Sequence, residues 1–137
     1  MSFRPVSGDS GKARLVRAAN STTFTKGNAL IDNASGFLTN AAVGENTDIL
    51  YVAAETVTTT VEGQEINCWS TEGVEFEADA DAAIANTDVG HAVDLASVST
   101  IDPDATTDAV FWLERIMGAA GTSTVGRGRF TRGAVNS

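Results

Sequence analysis

Gly8-Asp9-Ser10-Gly11 is the stretch most suggestive of a serine nucleophile, with a carboxylate beside it and glycines on either side. Acyl transfer also needs a histidine base and a carboxylate to orient it. The sole histidine is His91, and the motif lies near the end of a chain too short for a double-barrelled protease. The same residues, with Lys12, faintly suggest a phosphate loop. A Walker A loop has four residues between its glycines and Ser or Thr after its lysine, whereas here two intervene and Ala13 follows.

His91 has no second histidine to share a transition metal with, and Cys68 is the lone cysteine. Zinc-type sites call for three or four such ligands. His91 is therefore read as a surface or turn residue, and Cys68, in Ile66-Asn67-Cys68-Trp69, as a small buried hydrophobe unable to form an intramolecular disulfide. The carboxylates are more numerous. Glu75, Glu77, Asp79 and Asp81 recur at every second position, so a strand would line them up on one face, where they repel. Asp102, Asp104 and Asp108 form a looser group around Pro103. Calcium takes six to eight oxygens, and neither group has the spacing of an EF-hand loop with its closing Glu. A solvated acidic face is the expectation, and neither an enzyme nor a cofactor is expected.

Charge is segregated along the chain. Residues 1–26 hold Arg4, Lys12, Arg14, Arg17 and Lys26 against Asp9 alone, and residues 115–137 hold Arg115, Arg127, Arg129 and Arg132 against no carboxylate. The other 17 carboxylates lie between Gly27 and Glu114, where there is no lysine or arginine, and the formal net charge is −9. An acidic body repels nucleic acid, while basic flanks can engage an acidic partner. The tail Gly126-Arg127-Gly128-Arg129-Phe130-Thr131-Arg132-Gly133 is similar to Arg-Gly segments that bind RNA. Extended, it puts Val125, Arg127, Arg129 and Thr131 on one face, which suits a closing strand beside an acidic neighbour, and this is the favoured reading.

The elements that must position these groups read as strands. Runs rich in β-branched and aromatic residues recur at 29–31, 36–39, 49–53, 56–61, 65–69, 74–76, 91–95, 97–101 and 110–116, divided by Gly, Asn, Asp or Pro. Asp32-Asn33-Ala34-Ser35-Gly36 and Glu62-Gly63 read as hairpin connections. One or two helical turns are expected over 78–85. Leu, Ile, Val and Phe make up roughly 23% of the chain, little above the level associated with disorder, so a thin core of Val, Ala and Gly packing is expected. No apolar run approaches the length of a membrane span and Met1 to Val16 lacks the apolar stretch of a secretory signal. The expectation is an all-β fold, a small β-barrel or β-sandwich, with residues 1–26 as a basic extended arm and 27–137 as one acidic domain ending in a basic strand or tail. The arm, over residues 2–20, is expected to be mobile until it meets a partner.

Gly27-Asn28-Ala29-Leu30, Gly36-Phe37-Leu38-Thr39-Asn40-Ala41, Asp48-Ile49-Leu50-Tyr51-Val52-Ala53, Phe76-Glu77-Ala78, Asp88-Val89-Gly90-His91-Ala92-Val93-Asp94-Leu95 and Val125-Gly126-Arg127-Gly128-Arg129-Phe130 occur in an order that resembles the small β-rich capsid decoration, or cement, proteins of tailed bacteriophages. The resemblance implies a structural virion protein, made in the host cytoplasm, that binds the capsid exterior and bridges subunits of the major capsid protein. It implies a homotrimer, with no membrane and no direct nucleic-acid contact, and it carries over no catalytic residue. The expected capsid-docking residues are Arg4, Lys12, Arg14, Arg17, Arg127, Arg129 and Arg132. The alternative is a head-fibre or adhesin-like β domain that holds a host surface or glycan through Trp69 or Trp112.

Overall fold

The computed structural model describes residues 2–6, 13–42 and 47–131. They form an all-β fold of thirteen strands, with one short 3-10 turn at Asn86–Asp88. Strands β2 (Ala13–Ala18), β4 (Ala29–Asp32), β5 (Leu38–Asn40), β6 (Tyr51–Ala53) and β8 (Gln64–Ser70) close into a small barrel in the order β2-β5-β4-β6-β8. A second ring follows in the chain. Strands β9 (Phe76–Ala80), β11 (Thr100–Asp102), β10 (His91–Ser97), β12 (Phe111–Ile116) and β13 (Val125–Phe130) pair in that order, and β13 returns to β9. Strand β1 (Phe3–Pro5) adds to β9, and β3 (Thr23–Phe24) pairs with β7 (Val57–Thr58) as a separate ribbon. The expected small barrel is thus present twice.

The barrels share one apolar cluster. Ala29, Ala41, Ile49 and Val52 from the first pack with Phe3, Phe76, Phe111, Leu113 and Phe130 of the second. At its centre Phe130 meets Phe3, Phe76 and Phe111 with ring centroids 4.9, 5.4 and 5.1 Å apart, all near edge-to-face. Such pairs add to area burial because ring edges and faces carry opposite partial charge. The core is therefore aromatic at its centre, not built mainly from small residues as the composition suggests. The thinness expectation holds better in the first barrel, where Ala18, Phe24, Leu30, Leu38, Ala53, Ile66 and Cys68 form a smaller cluster.

One local expectation gives way to tertiary packing. The helical turns expected over 78–85 are absent because strand β9 runs through Ala80. Phe76, Ala78 and Ala80 point inward and are buried, so the alternation of the strand outweighs the helix propensity of alanine. Of the basic N-terminal segment, Phe3–Pro5, Ala13–Ala18 and Thr23–Phe24 are strands. Phe3 is fully buried, Phe3 N–H donates to the Gly27 carbonyl at 3.0 Å, and Ala13–Ala18 pairs with β8 along its whole length. Residues 7–12, the middle of the expected arm, lie outside the described residues.

Turn chemistry is met at the β4–β5 hairpin. Asn33 Oδ1 accepts from the Ser35 and Phe37 N–H groups at 2.8 and 3.1 Å, and Gly36 takes the left-handed φ of +83° that favours glycine. Glu62-Gly63 joins β7 to β8 without making them a hairpin, since β7 pairs with β3.

Candidate functional site

The outer face of the second barrel shows what becomes of the acidic ladder. On β9, Glu77 and Asp79 face outward between β1 and β13, with Arg4 and Arg127 both directly across from Glu77 in the strand register. Arg4 Nη2 donates to Glu77 Oε1 at 3.0 Å, and Arg127 Nε donates to Glu77 Oε2 at 3.1 Å. Arg4 Nη1 also donates to Asp79 Oδ2 at 2.9 Å, and the Ser2 N–H donates to the same oxygen at 2.9 Å. The repulsion expected among alternating carboxylates is therefore offset by arginines from the flanking strands. The Arg4 hydrogen bond is the largest influence on the Glu77 carboxyl; burial, second, pushes upward, and Arg127 adds to Arg4 so that the carboxyl is held below its ordinary range. For Asp79, burial is the largest single influence and pushes upward, but Arg4 and the Ser2 N–H together bring the carboxyl lower.

These shifts set a direction for acid stability. Carboxylates with depressed folded values stabilise the fold above roughly pH 4, where the unfolded groups are ionised, and lose that contribution as pH falls through the folded values. The urea midpoint is expected to drop between pH 6 and pH 3, and Glu77→Gln should lower it at pH 6 while flattening its pH dependence. Unchanged pH dependence in that variant would show the ladder to be inconsequential. The effect is modest, because the paired side chains remain a fifth to two fifths exposed.

Arg129 is also used within the chain, with its Nη1 donating to the Gly73 carbonyl at 3.0 Å and its Nε 3.6 Å from Glu114. The Arg-Gly tail is a barrel strand through Phe130: Gly126, Gly128 and Phe130 face inward while Arg127 and Arg129 face outward. Of the expected docking residues, Arg4, Arg127 and Arg129 are thus engaged by the protein's own carboxylates. Lys12 and Arg132 lie outside the described residues.

Arg14 and Arg17 are different. Both lie on β2, and among the described residues neither has a carboxylate within ion-pair distance, although Glu65 is directly across from Arg17 in register. Arg17 instead lies over the Phe37 ring at 4.9 Å. Arg14 lines a small hollow of about 160 Å³ with Leu50, Tyr51, Ser70 and Glu72. Lys26, which lies in the basic segment but not among the expected docking residues, is 5.9 Å over the Trp69 ring, also without a carboxylate within ion-pair distance among the described residues. Stacking on aromatic faces leaves a cation's charge unneutralised. The unneutralised cations of the described residues therefore all lie on the first barrel, with Arg14 and Arg17 on opposite faces of β2 and Leu15 on the Arg17 face at 57% exposure. Side-chain period gave no signal for that strand, because Leu15 and Val16 are adjacent and Ala13-Arg14-Leu15-Val16-Arg17-Ala18 does not alternate.

The other candidates resolve into structural roles or open surface. Cys68 is buried, and burial, with a smaller influence from Glu55, pushes its thiol up to about 12, which suppresses the reactive thiolate. His91 opens β10 at the rim of a hollow of about 360 Å³ shared with Asp88, Asp104 and Thr106. Among the described residues no group of three or more His, Cys, Asp or Glu side chains is placed to hold a metal ion. Buried Asp94 accepts the Asp108 and Ala109 N–H groups at 2.7 Å each and so ties down the loop before β12. The Gly8-Asp9-Ser10-Gly11 motif falls outside the described residues. No described helix is long and apolar enough to cross a membrane. The chain matches no protein-family model and no curated protein.

Proposed function

We propose that this protein is a structural component of a bacteriophage virion that binds the outside of the capsid and stabilises the shell by bridging subunits of the major capsid protein. The observation that carries the reading is the partition of charge in three dimensions. The arginines of the second barrel are neutralised by its own acids, while Arg14 and Arg17 on β2 remain available. An acidic body with one cationic strand suits docking in a fixed orientation, the cations toward the shell and the acids outward, where they keep particles apart. Many copies make a modest contact sufficient. The proposed assembly is a homotrimer that covers the exposed apolar surface at Val61 and Trp112.

The test is twofold. Mass spectrometry of purified virions should find the chain in many copies, with density outside the shell in particle images. Arg14→Glu with Arg17→Glu should weaken binding to shells about tenfold at low salt, whereas Arg127→Gln should not, beyond its effect on stability. Absence from the virion, or equal binding by the double variant, would refute the proposal.

One observation favours the adhesin-like alternative. Trp112 sits on the outer face of β12 at 39% exposure, across from Arg129 in register. Glycans that quench its fluorescence in a saturable way would support that reading.

A further inference from the structure

Among the described residues, strand β2 is bonded along its length on one side only. It pairs with β8 at every residue from Ala13 to Ala18, but with β5 only where Ala18 meets Leu38. Which groups face the open side follows from the ladder. In an antiparallel pair, residues alternate between exchanging hydrogen bonds with the partner and turning their N–H and C=O groups away. Asn67 turns away from β2, because its carbonyl accepts from the Ala54 N–H at 2.9 Å and its N–H donates to Glu55. Its register partner Leu15 must then turn away from β8 as well, and so must Ala13 and Arg17. The Ala19 N–H, next in that alternation, donates to the Leu38 carbonyl on the β5 side at 2.9 Å, which agrees. Ala13 and Leu15 therefore direct their backbone groups at a side where no described strand lies.

An open edge is a template for another strand, and proteins commonly protect such edges with charge. Here the charge also selects. A second β2 laid antiparallel across this edge, centred on Leu15, would set Arg14 diagonal to its own copy on one face and put both copies of Arg17 on the other, without a described carboxylate within ion-pair distance of them. An extended strand carrying glutamate or aspartate meets the same arginines favourably.

We infer that the open edge of β2, from Ala13 to Val16, is a strand-addition site that takes an extended acidic segment of a partner protein. This rests on the capsid-docking reading for the identity of that partner, but the edge can be tested without capsids. The probes are two seven-residue peptides with blocked ends, one alternating valine with glutamate and the other valine with lysine, each at millimolar concentration with the full chain. Amide hydrogen exchange is read by nuclear magnetic resonance. The glutamate peptide should slow exchange of the Ala13 and Leu15 amides about tenfold, and the lysine peptide should not. Arg14→Glu with Arg17→Glu should reverse the preference.

Leu15→Pro removes an N–H that the barrel does not use and should abolish protection at Ala13 while leaving the fold intact. If that variant unfolds, the charge-reversed pair carries the test alone. No protection by the glutamate peptide, or equal protection by both, overturns the inference. Self-association through β2 in sedimentation, abolished by Leu15→Pro, would also overturn it, as would protection of the same amides by DNA and not by the acidic peptide. Peptide binding without shell binding would leave the edge standing and remove only the capsid.

Discussion

Phe3→Ala is expected to lower the stability of the whole chain by about 3–5 kcal/mol, the usual cost of emptying a buried phenylalanine site. For a domain of this size that is roughly 10–15 °C in the thermal midpoint. The side chain is fully buried, with its ring 4.9 Å from Phe130 and 5.8 Å from Phe111, in the cluster that joins the two barrels. Strand β1 anchors it through the Arg4 bonds to Glu77 and Asp79 and through the Phe3 N–H to Gly27. Stabilities of small domains lie near 5–15 kcal/mol, so this loss is a large fraction of the total. Calorimetry or urea unfolding of the full chain decides it. A midpoint unmoved by Phe3→Ala would show that the N-terminal segment is an arm held loosely against the body. A cooperative drop would establish it as part of the folding unit, and deletion of residues 2–20 would then unfold the protein instead of merely weakening its docking.

The second large effect is expected at Gly128. This residue faces into the second barrel on β13, directly across from Leu113 on β12. A Cβ there would overlap the Trp112 carbonyl oxygen and lie 3.0 Å from the Phe111 ring. Because the obstacle is backbone, no rotamer change relieves it, and β12 and β13 would have to separate at the seam that Phe130 and Phe111 seal. Gly128→Ala should therefore cost about 3 kcal/mol, at the upper end for overpacking, and Gly128→Val more. Gly36→Ala is the contrast: nothing lies within 4 Å of its Cβ position, so its cost is only that of a left-handed backbone, about 1 kcal/mol. Thermal denaturation of the two alanine variants side by side is the check. Equal midpoints would mean that β13 does not close the barrel as tightly as described.

Gly128 also explains the Arg-Gly tail. Alternation by itself put Arg127 and Arg129 on one face, and the structure adds why glycine alternates with them: the inward positions abut β12 too closely for a side chain at Gly128, and Gly126 faces Leu113 and Ile84. The resemblance of that segment to RNA-binding repeats is thus accounted for by barrel closure.

Local pattern was enough to establish an all-β chain, the strand at 110–116, the Asn33-Gly36 turn and the outward face of Glu77 and Asp79. These depend on side-chain period and turn stereochemistry, which are written residue by residue. Charge segregation was equally plain from composition. Period identifies the face of a strand but not its neighbour, because pairing is set by residues far apart in the chain. For that reason only the tertiary structure decided that Arg4 and Arg127 flank one glutamate, across separations of 73 and 50 residues. The same applies to Phe3, a lone aromatic in a polar segment, which becomes core only once β9 supplies an edge for β1. Which basic residues remain available was likewise a matter of partners: Arg4 and Arg14 look alike in sequence, and differ because one meets a carboxylate ladder and the other lies on a strand where no described carboxylate comes within ion-pair distance.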